Sequence, residues 1–435
     1  MITIKDKKNC CGCSACVQRC PKQCISLTED EEGFLYPLVD EEKCINCGLC
    51  EKVCPILNPQ EKILPQEVLA VKNPNEEERM ASSSGGVFLP LAREVIKQGG
   101  VVFGAVYDEQ WEVHHVCAEK LEDVYPMMGS KYLQSRIENT YKEAELFLKQ
   151  GREVLFVGSP CQIAGLRTFL RNKEYPNLLA VDFLCHGVPS PGVWRRYLAE
   201  TYGGYEAKDK SRRQATAGKN SVLLSSLNAK SPIGDVKFRD KTESGWKKFR
   251  FVVRKKSASK ADQNTVLSSD IHYDNPFMRG FLSDIYLRPS CYECKCKNGV
   301  NHSDLTIGDY WAARVIDQDF DDDKGMGLVL VNTEKGKGYF DKLQMDVRES
   351  TSDKAHLCNG GFNEHTNPHP KRALFFSSIQ QGKTVQAAVE TCLYIPLHRR
   401  AIAKSKRLVK KAIKGAVKQV LGDNGIQSVK KVLGK

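Results

Sequence analysis

The residues of this chain best suited to chemistry are eight cysteines near its N-terminus. They form two copies of the pattern C-x2-C-x2-C-x3-C-P, and each cysteine of the first copy recurs 34 residues later. Three thiolates spaced in this way bind one 4Fe-4S cube, while the fourth cysteine, beyond a helical turn, reaches the other cube. The spacing therefore predicts two clusters, the first on Cys10, Cys13, Cys16 and Cys54 and the second on Cys44, Cys47, Cys50 and Cys20.

Zinc is the alternative occupant of such a segment. A structural zinc site normally uses paired C-x2-C knuckles and closes with four ligands, whereas this segment has two triplets that each lead to a Cys-Pro ending. The pattern therefore favours iron-sulfur clusters. Cys11 and Cys24 have no counterparts 34 residues later, where Ile45 and Asn58 stand, and we predict that they pack beside the clusters rather than bind them.

The elements after Pro65 change from cysteine-rich loops to alternating strands and helices. Apolar runs at 101–107, 154–157 and 178–184 predict buried strands. A helical stretch precedes the first strand and ends at Gly99-Gly100, and helices follow the other two strands. Strand, short loop and helix in succession predict an α/β domain with a mainly parallel sheet as its core.

Further cysteines lie in the loops that follow these predicted strands. Cys161 and Cys185 follow two of the strands, and Cys291 and Cys294 lie at two-residue spacing in a third loop. Loops at the carboxyl ends of parallel strands meet at one crevice, so four thiols could converge there on another 4Fe-4S cluster. The alternative is that Cys161 and Cys185 are buried small apolar residues, and spacing alone leaves both interpretations open.

Composition and charge limit the classes of function. The 435 residues, of which 41% are hydrophobic and 27% charged, predict a soluble protein of two or three domains. No apolar run approaches the roughly 18 residues that span a bilayer, and the N-terminus lacks a signal-peptide pattern. We therefore expect a cytoplasmic protein, in which 18 cysteines serve metal or redox chemistry rather than disulfides.

The net charge of +12 is concentrated in the C-terminal tail. Between Arg399 and Lys435, twelve Lys or Arg residues stand against Asp423 alone, so the rest of the chain is nearly neutral and no nucleic-acid partner is predicted. The tail predicts an amphipathic helix. Its apolar stripe is Ile402, Val409, Ile413, Ala416 and Val420, and its cationic face is Lys404, Arg407, Lys411, Lys414 and Lys418. The charged face of such a helix is either exposed to solvent, with no binding role, or attaches the chain peripherally to the inner face of an anionic membrane.

Six segments of the larger domain occur in a characteristic order. They are SSSGGVF at 82–88, GSKYLQS at 129–135, GSPCQIAG at 158–165, CHGVPSP at 185–191, RPSCYEC at 288–294 and IGDYW at 307–311. Together they resemble the family of beta subunits of coenzyme F-420 hydrogenases and dehydrogenases, over roughly residues 67–345. Relatives in that family combine bound FAD with an iron-sulfur centre.

The resemblance implies an FAD site and a third 4Fe-4S cluster. The implied cluster ligands are Cys161, Cys185, Cys291 and Cys294. The implied flavin residues are Ser82, Ser83, Ser84, Gly85, Gly86, Gly129, Ser130, Lys131, Tyr132 and Gln134, where glycines admit backbone N–H groups to phosphates and serine hydroxyls add donors. The chain departs from the family at Cys296, where relatives commonly have an aromatic residue, so it stays open which thiols of that loop bind iron.

The expected architecture is an α+β ferredoxin-like N-terminal domain (1–65), an α/β flavin domain (66–345), an unassigned extension (346–397) and a basic amphipathic C-terminal helix (398–435). We predict a flavin-dependent iron-sulfur oxidoreductase that exchanges electrons with a redox partner protein or a small substrate, either F-420-like or connected with polysaccharide biosynthesis. The alternative is a non-catalytic electron-delivery subunit that docks a partner enzyme. Asp182, His186 and Asp309 lie in the motifs and could relay protons, but no catalytic residue is assigned.

Overall fold

A computed structural model describes residues 1–203, 232–256, 265–311, 313–359, 361 and 364–395. Residues 1–389 form one compact unit, and residues 390–435 belong to a second. The predicted tail helix lies outside the described residues. Within the described part of the chain, no helix has both the length and the apolar character needed to cross a bilayer.

The N-terminal segment consists of two short helices and a hairpin. The helices are α1 (Ala15–Arg19) and α2 (Leu49–Lys52), and the antiparallel strands are β1 (Ile25–Glu29) and β2 (Leu35–Val39). Each helix follows a residue with positive φ, Ser14 at 60° and Gly48 at 72°. These turns reverse the chain inside each cysteine run, as a loop that wraps a cluster requires.

An eight-stranded sheet forms the centre of the larger domain. Its strands are β3 (Glu67–Lys72), β4 (Val101–Tyr107), β5 (Val113–Ala118), β6 (Val154–Gly158), β7 (Leu178–Phe183), β11 (Leu305–Asp309), β12 (Gly327–Val331) and β13 (Asp346–Glu349). The order across the sheet is β13-β3-β12-β11-β7-β6-β4-β5. The three strands predicted from apolar runs are confirmed as β4, β6 and β7.

The sheet is mixed rather than mainly parallel. Strands β4, β6, β7 and β11 run parallel at its centre, whereas β5 pairs antiparallel on one side and β12, β3 and β13 on the other. The prediction of a mainly parallel sheet is therefore correct only for the four central strands. The outer strands were missed because their direction depends on long-range pairing, which local apolar runs do not encode.

A second, three-stranded antiparallel sheet was not predicted. It consists of β8 (Ile233–Asp240), β9 (Arg250–Lys255) and β10 (Val266–Ile271). Phe238 and Phe251 of this sheet pack against Trp194, whose ring centroid lies 5.3 and 6.3 Å from theirs. Charged residues interrupt the apolar alternation of β8 and β9, which explains why the pattern gave no clear signal.

The helices that follow the N-terminal segment are α3 (Glu76–Ala81), α4 (Phe88–Lys97), α5 (Leu121–Val124), α6 (Thr140–Lys149), α7 (Pro160–Phe169), α8 (Pro191–Tyr202), α9 (Pro276–Leu282), α10 (Ala313–Ile316), α11 (Glu334–Phe340), α12 (Ser352–Cys358), α13 (Arg372–Gln380) and α14 (Val385–Leu393). Four of them, α4 to α7, pack on the two faces of the large sheet. On one face, residues of α4 and α5 form a core with the strands. On the other face, α6 and α7 do so.

The N-terminal segment packs on the face of the sheet covered by α6 and α7. Cys11, Ala15, Val53 and Ile56 belong to the same buried cluster as Tyr141 and residues of α7. The Gln18 side chain accepts hydrogen bonds from the backbone N–H groups of Tyr141 and Lys142, at 3.1 and 3.3 Å. The cysteine-rich segment is thus anchored on α6 and on α7, and α7 also carries Cys161.

Candidate iron-sulfur centres

The second predicted cluster site gathers cysteines from both runs. Cys20 and Cys24 line one pocket together with Cys44, Cys47 and Cys50. Cys20 comes from the first run, so the structure places it with the three cysteines of the second run, in the crossed arrangement that the spacing predicts. The Cys24 sulfur lies 3.4 Å from the Cys20 sulfur, beside the predicted ligands.

The first predicted cluster site lies deeper. Burial raises the pKa of Cys16, and the neighbouring Cys10 and Cys54 thiols raise it further. Burial likewise raises the pKa of Cys54, and the Cys13 thiol interacts with both Cys16 and Cys54. Each of the four predicted ligands therefore has at least two of the others as neighbours. The raised pKa values mean that burial disfavours the thiolate form of these cysteines in the protein alone. Binding to iron stabilises the thiolates, because the metal charge replaces the protons.

The thiols of these two sites are of the kind that a 4Fe-4S cluster requires. Among the described residues, no group of three or more His, Cys, Asp or Glu side chains converges on one ion position. A 4Fe-4S cube takes one thiolate per iron, so its ligands surround a volume rather than a point. The twelve cysteines predicted as ligands form no disulfide and are hence open to ligation.

The third candidate site brings together cysteines from three loops. One pocket is lined by Cys161, Cys185, Cys291 and Cys294, and also by Cys11 and Cys296. Cys161 lies in the first turn of α7, where Ser159 and Gln162 form a capping box. Cys185 follows β7, and Cys291 lies in the 3-10 turn Pro289–Glu293. Burial raises the pKa of Cys185 to about 12 and that of Cys294 to about 11.

Cys11 and Cys296 are the two cysteines of this site that the sequence did not assign to it. Cys11 is 7% exposed and Cys296 is 1% exposed. The Cys11 thiol interacts electrostatically with the thiols of Cys161 and Cys296 and with that of the predicted first-cluster ligand Cys13. Cys11 therefore lies between the first and third candidate sites, which explains its burial without making it a ligand.

The first and third sites meet on helix α7, at positions about one turn apart. A Cβ atom at Gly165 would lie 2.8 Å from the Cys13 Cβ and 3.0 Å from its sulfur. Cys161 stands four residues earlier on the same helix, a rise of about 6 Å. Gly165 thus permits the close approach of Cys13, and the two candidate sites adjoin.

The two segments expected to contact FAD also adjoin. Ser83 Oγ accepts a hydrogen bond from the Ser130 backbone N–H at 2.6 Å. The other hydroxyls have structural roles, because Ser82 donates to the Glu78 carbonyl at 2.8 Å and Ser84 donates to the Met326 carbonyl at 2.6 Å. The Ser82 and Ser84 hydroxyls thus donate to backbone carbonyls in this structure, and a contact of the three serines with flavin stays a prediction.

Glycines and a lysine complete this region. A Cβ at Gly85 would lie 2.3 Å from the Gly327 nitrogen, so Gly85 permits the segment to pack against β12. Gly86 and Gly129 adopt positive φ, at 81° and 80°. Lys131 Nζ donates to the carbonyls of residues 127, 128 and 129, and burial lowers the pKa of Lys131 to about 7.

Tyr132 and Gln134 are held by protein contacts. The Tyr132 ring packs 4.8 Å from Phe281. Gln134 Nε2 donates to the Cys11 carbonyl at 3.1 Å, and its Oε1 accepts from Arg288 at 2.8 Å. Gln134 thus contacts the first cluster loop.

Comparison with known proteins identifies two domains. Residues 151–355 match the family described as the C terminus of the coenzyme F420 hydrogenase/dehydrogenase beta subunit, and residues 9–57 match the 4Fe-4S dicluster domain. The chain carries domains of both families. The cysteines that the sequence predicts for the third site all lie within the F420 hydrogenase/dehydrogenase domain, whereas the segments expected to contact FAD precede the matched range.

Individual relatives are similar over part of their length. The F component of the F(420)H(2) dehydrogenase of Methanosarcina mazei is 26% identical over 188 residues, 40% of this chain and 53% of that protein. The coenzyme F420-dependent sulfite reductase of Methanocaldococcus jannaschii is 28% identical over 167 residues, 38% of this chain and 26% of that protein. The matched part thus spans about half of the first relative and a quarter of the second. An uncharacterized ferredoxin of the latter organism is 42% identical over 52 residues, 12% of this chain and 66% of that protein.

The three candidate proton carriers of the F420 hydrogenase/dehydrogenase domain have protein partners. Asp182 accepts from Asn301 Nδ2 at 2.7 Å and from Thr306 Oγ1 at 2.6 Å, and burial raises the pKa of Asp182 to about 6. His186 lies 2.7 Å from the Asp284 carboxylate. Asp309 forms a two-pronged ion pair with Arg239.

Proposed function

We propose that the chain passes electrons between its ferredoxin-type segment and a third 4Fe-4S cluster in the F420 hydrogenase/dehydrogenase domain. Cys161, Cys185, Cys291 and Cys294 would hold that cluster. The observation that carries the proposal is the contact between the first and third candidate sites. Cys13 packs against Gly165 of α7, the helix whose first turn contains Cys161. A 4Fe-4S cluster exchanges single electrons, at a potential set by its charge and surroundings.

The exposure of the sites favours one point of electron entry. Cys47 is exposed and lies at the second cluster site, whereas the cysteines of the first site are half-buried or buried. A redox partner protein would therefore contact the second site. The first cluster site would then connect the second site to the third, through the loop that contains Cys11 and Cys13.

The proposed organic reaction is oxidation or reduction of a small substrate through FAD. When bound, a flavin supplies the step between one-electron and two-electron chemistry. Ser83, Ser130 and the backbone of 129–131 would position it, with Lys131 able to carry or release a proton near neutral pH because its pKa is about 7. The names of two relatives, the F(420)H(2) dehydrogenase and the coenzyme F420-dependent sulfite reductase, favour coenzyme F420 as substrate. A substrate of polysaccharide biosynthesis is the second candidate.

The test of this function is anaerobic purification followed by cofactor analysis. We expect about twelve irons per chain, four for each cube, and FAD released on denaturation. Reduced coenzyme F420 should then bleach the clusters. About twelve irons without flavin would favour the alternative, an electron-delivery subunit that docks a partner enzyme.

Crossed ligation predicts an unequal effect of Cys20→Ser. This substitution should damage the cluster held by Cys44, Cys47 and Cys50, because Cys20 lines that pocket. Electron paramagnetic resonance of the reduced protein would show loss of one signal of three. Cys24→Ser is the matched control, since Cys24 lines the same pocket and should leave the signal in place. Damage to the cluster of Cys10, Cys13 and Cys16 instead would contradict the assignment.

Attachment of residues 398–435 to an anionic membrane surface is a further proposal, and the charge pattern of the tail is its support. It would place the chain in the cytoplasm, against the inner face of the membrane.

A further inference from the structure

Arg288 is a fully buried cation beside the first cluster site. Its side chain is 0% exposed. Nε donates to the Cys10 carbonyl at 2.8 Å, and Nη2 donates to the Leu35 carbonyl at 2.9 Å. Nη2 also lies 3.5 Å from the Cys10 sulfur, and the guanidinium stacks 4.3 Å from the Tyr36 ring centroid. The guanidinium thus touches a predicted cluster ligand directly.

Its charge, unlike that of the other buried arginines, has no carboxylate partner within the described part of the chain. Arg79, Arg167 and Arg239 each pair with an aspartate, at 2.7, 3.1 and 2.6 Å. Among the described residues, the hydrogen bonds of Arg288 go to carbonyl, amide and thiol groups. Burial of an unpaired charge costs several kcal/mol, so an anion is expected at this place.

The groups around Arg288 identify that anion. Besides Tyr36, the groups that attract the guanidinium when ionised include the thiolates of Cys10, Cys11 and Cys291. Cys10 is a predicted ligand of the first cluster and Cys291 of the third. The Cys291 backbone N–H also donates to the Arg288 carbonyl at 2.9 Å, so Cys291 lies one turn along the chain from the Arg288 backbone.

We propose that Arg288 is the shared counter-ion of the first and third 4Fe-4S clusters and raises the reduction potential of both. The proposal rests on the proposed function, which places the third cluster on Cys291. A cluster bound by four thiolates is anionic, and one-electron reduction adds another negative charge. A fixed cation nearby stabilises the reduced form more than the oxidised form, so electrons collect at these two clusters rather than at the second.

The experiment is a potentiometric titration of the full chain, monitored by electron paramagnetic resonance, with iron counted in each sample. Arg288→Gln removes the positive charge. Arg288→Lys keeps the positive charge but replaces the planar guanidinium with an ammonium group. Arg348→Gln is the control, because it removes a charge from an exposed ion pair with Asp319. We expect Arg288→Gln to lower the potentials of the first and third clusters and leave the second unchanged. Arg288→Lys should restore most of the shift.

Unchanged potentials in Arg288→Gln, with about twelve irons retained, would overturn the proposal while leaving the proposed function intact. About eight irons in the unaltered chain would remove the third cluster, and with it both the proposed function and the shared role. Where Arg288→Gln loses iron, the lysine variant decides. Recovery of iron and potential by lysine supports a charge effect, and equal loss in both variants would show that the guanidinium acts only through its hydrogen bonds.

Discussion

Replacing both Cys291 and Cys294 with serine should lower the iron content from about twelve to about eight per chain, because one cube of four irons loses two ligands. Both cysteines line the third site, and the serine hydroxyl is a poorer ligand for iron than thiolate. The second and first sites lie on other cysteines and should keep their signals. Iron analysis and electron paramagnetic resonance on anaerobically purified protein would measure the change.

Two further variants sharpen this prediction. Cys117→Ser is the matched control, since Cys117 lies on β5, away from the pocket, and should leave the iron content unchanged. Cys296→Ser tests the ligand set, because Cys296 is buried in the same site. An unaltered iron count in the double variant would remove the third cluster. Loss of about four irons in Cys296→Ser would make Cys296 a ligand in place of one of the four.

Asp304→Ala should lower the free energy of unfolding by about 3–5 kcal/mol. Asp304 is 1% exposed, and its Oδ2 lies 3.1 Å from Arg167 Nη2 and accepts from the Ala180 N–H at 2.8 Å. Its Oδ1 accepts from Thr333 at 2.9 Å. Removing the carboxylate leaves the buried Arg167 of α7 without its aspartate, and α7 carries Cys161.

Denaturant unfolding followed by circular dichroism under anaerobic conditions would measure this loss as a lower midpoint. Asp341→Ala is the control, because Asp341 forms an exposed ion pair with Lys337 at 3.4 Å, and such pairs contribute about 0–1 kcal/mol. Asp304→Asn keeps the shape and one acceptor, and its midpoint should lie between the two. Equal midpoints for Asp304→Ala and Asp341→Ala would contradict a stabilising role for the buried pair.

Local patterns predicted most of the elements that position the candidate sites. Strands β4, β6 and β7 were predicted because each is a continuous apolar run, typical of strands buried on both faces. The helix after Gly86 was predicted to end at Gly99-Gly100, and α4 ends at Lys97. The outer strands β12, β3 and β13 were not predicted. The antiparallel pairing of β3 with β12 and with β13 joins residues more than 200 positions apart.

The sequence by itself determined the two ferredoxin-type cysteine sets, because a cluster that forms in a short segment needs ligands at fixed local spacing. It also indicated four loop cysteines, although it left their role open. Only the tertiary structure decided that Cys11 lies between two candidate sites. It alone brought Arg288 to Cys10, 278 residues away. The physical reason is that burial and charge compensation depend on which surfaces pack together, and no spacing along the chain records that contact.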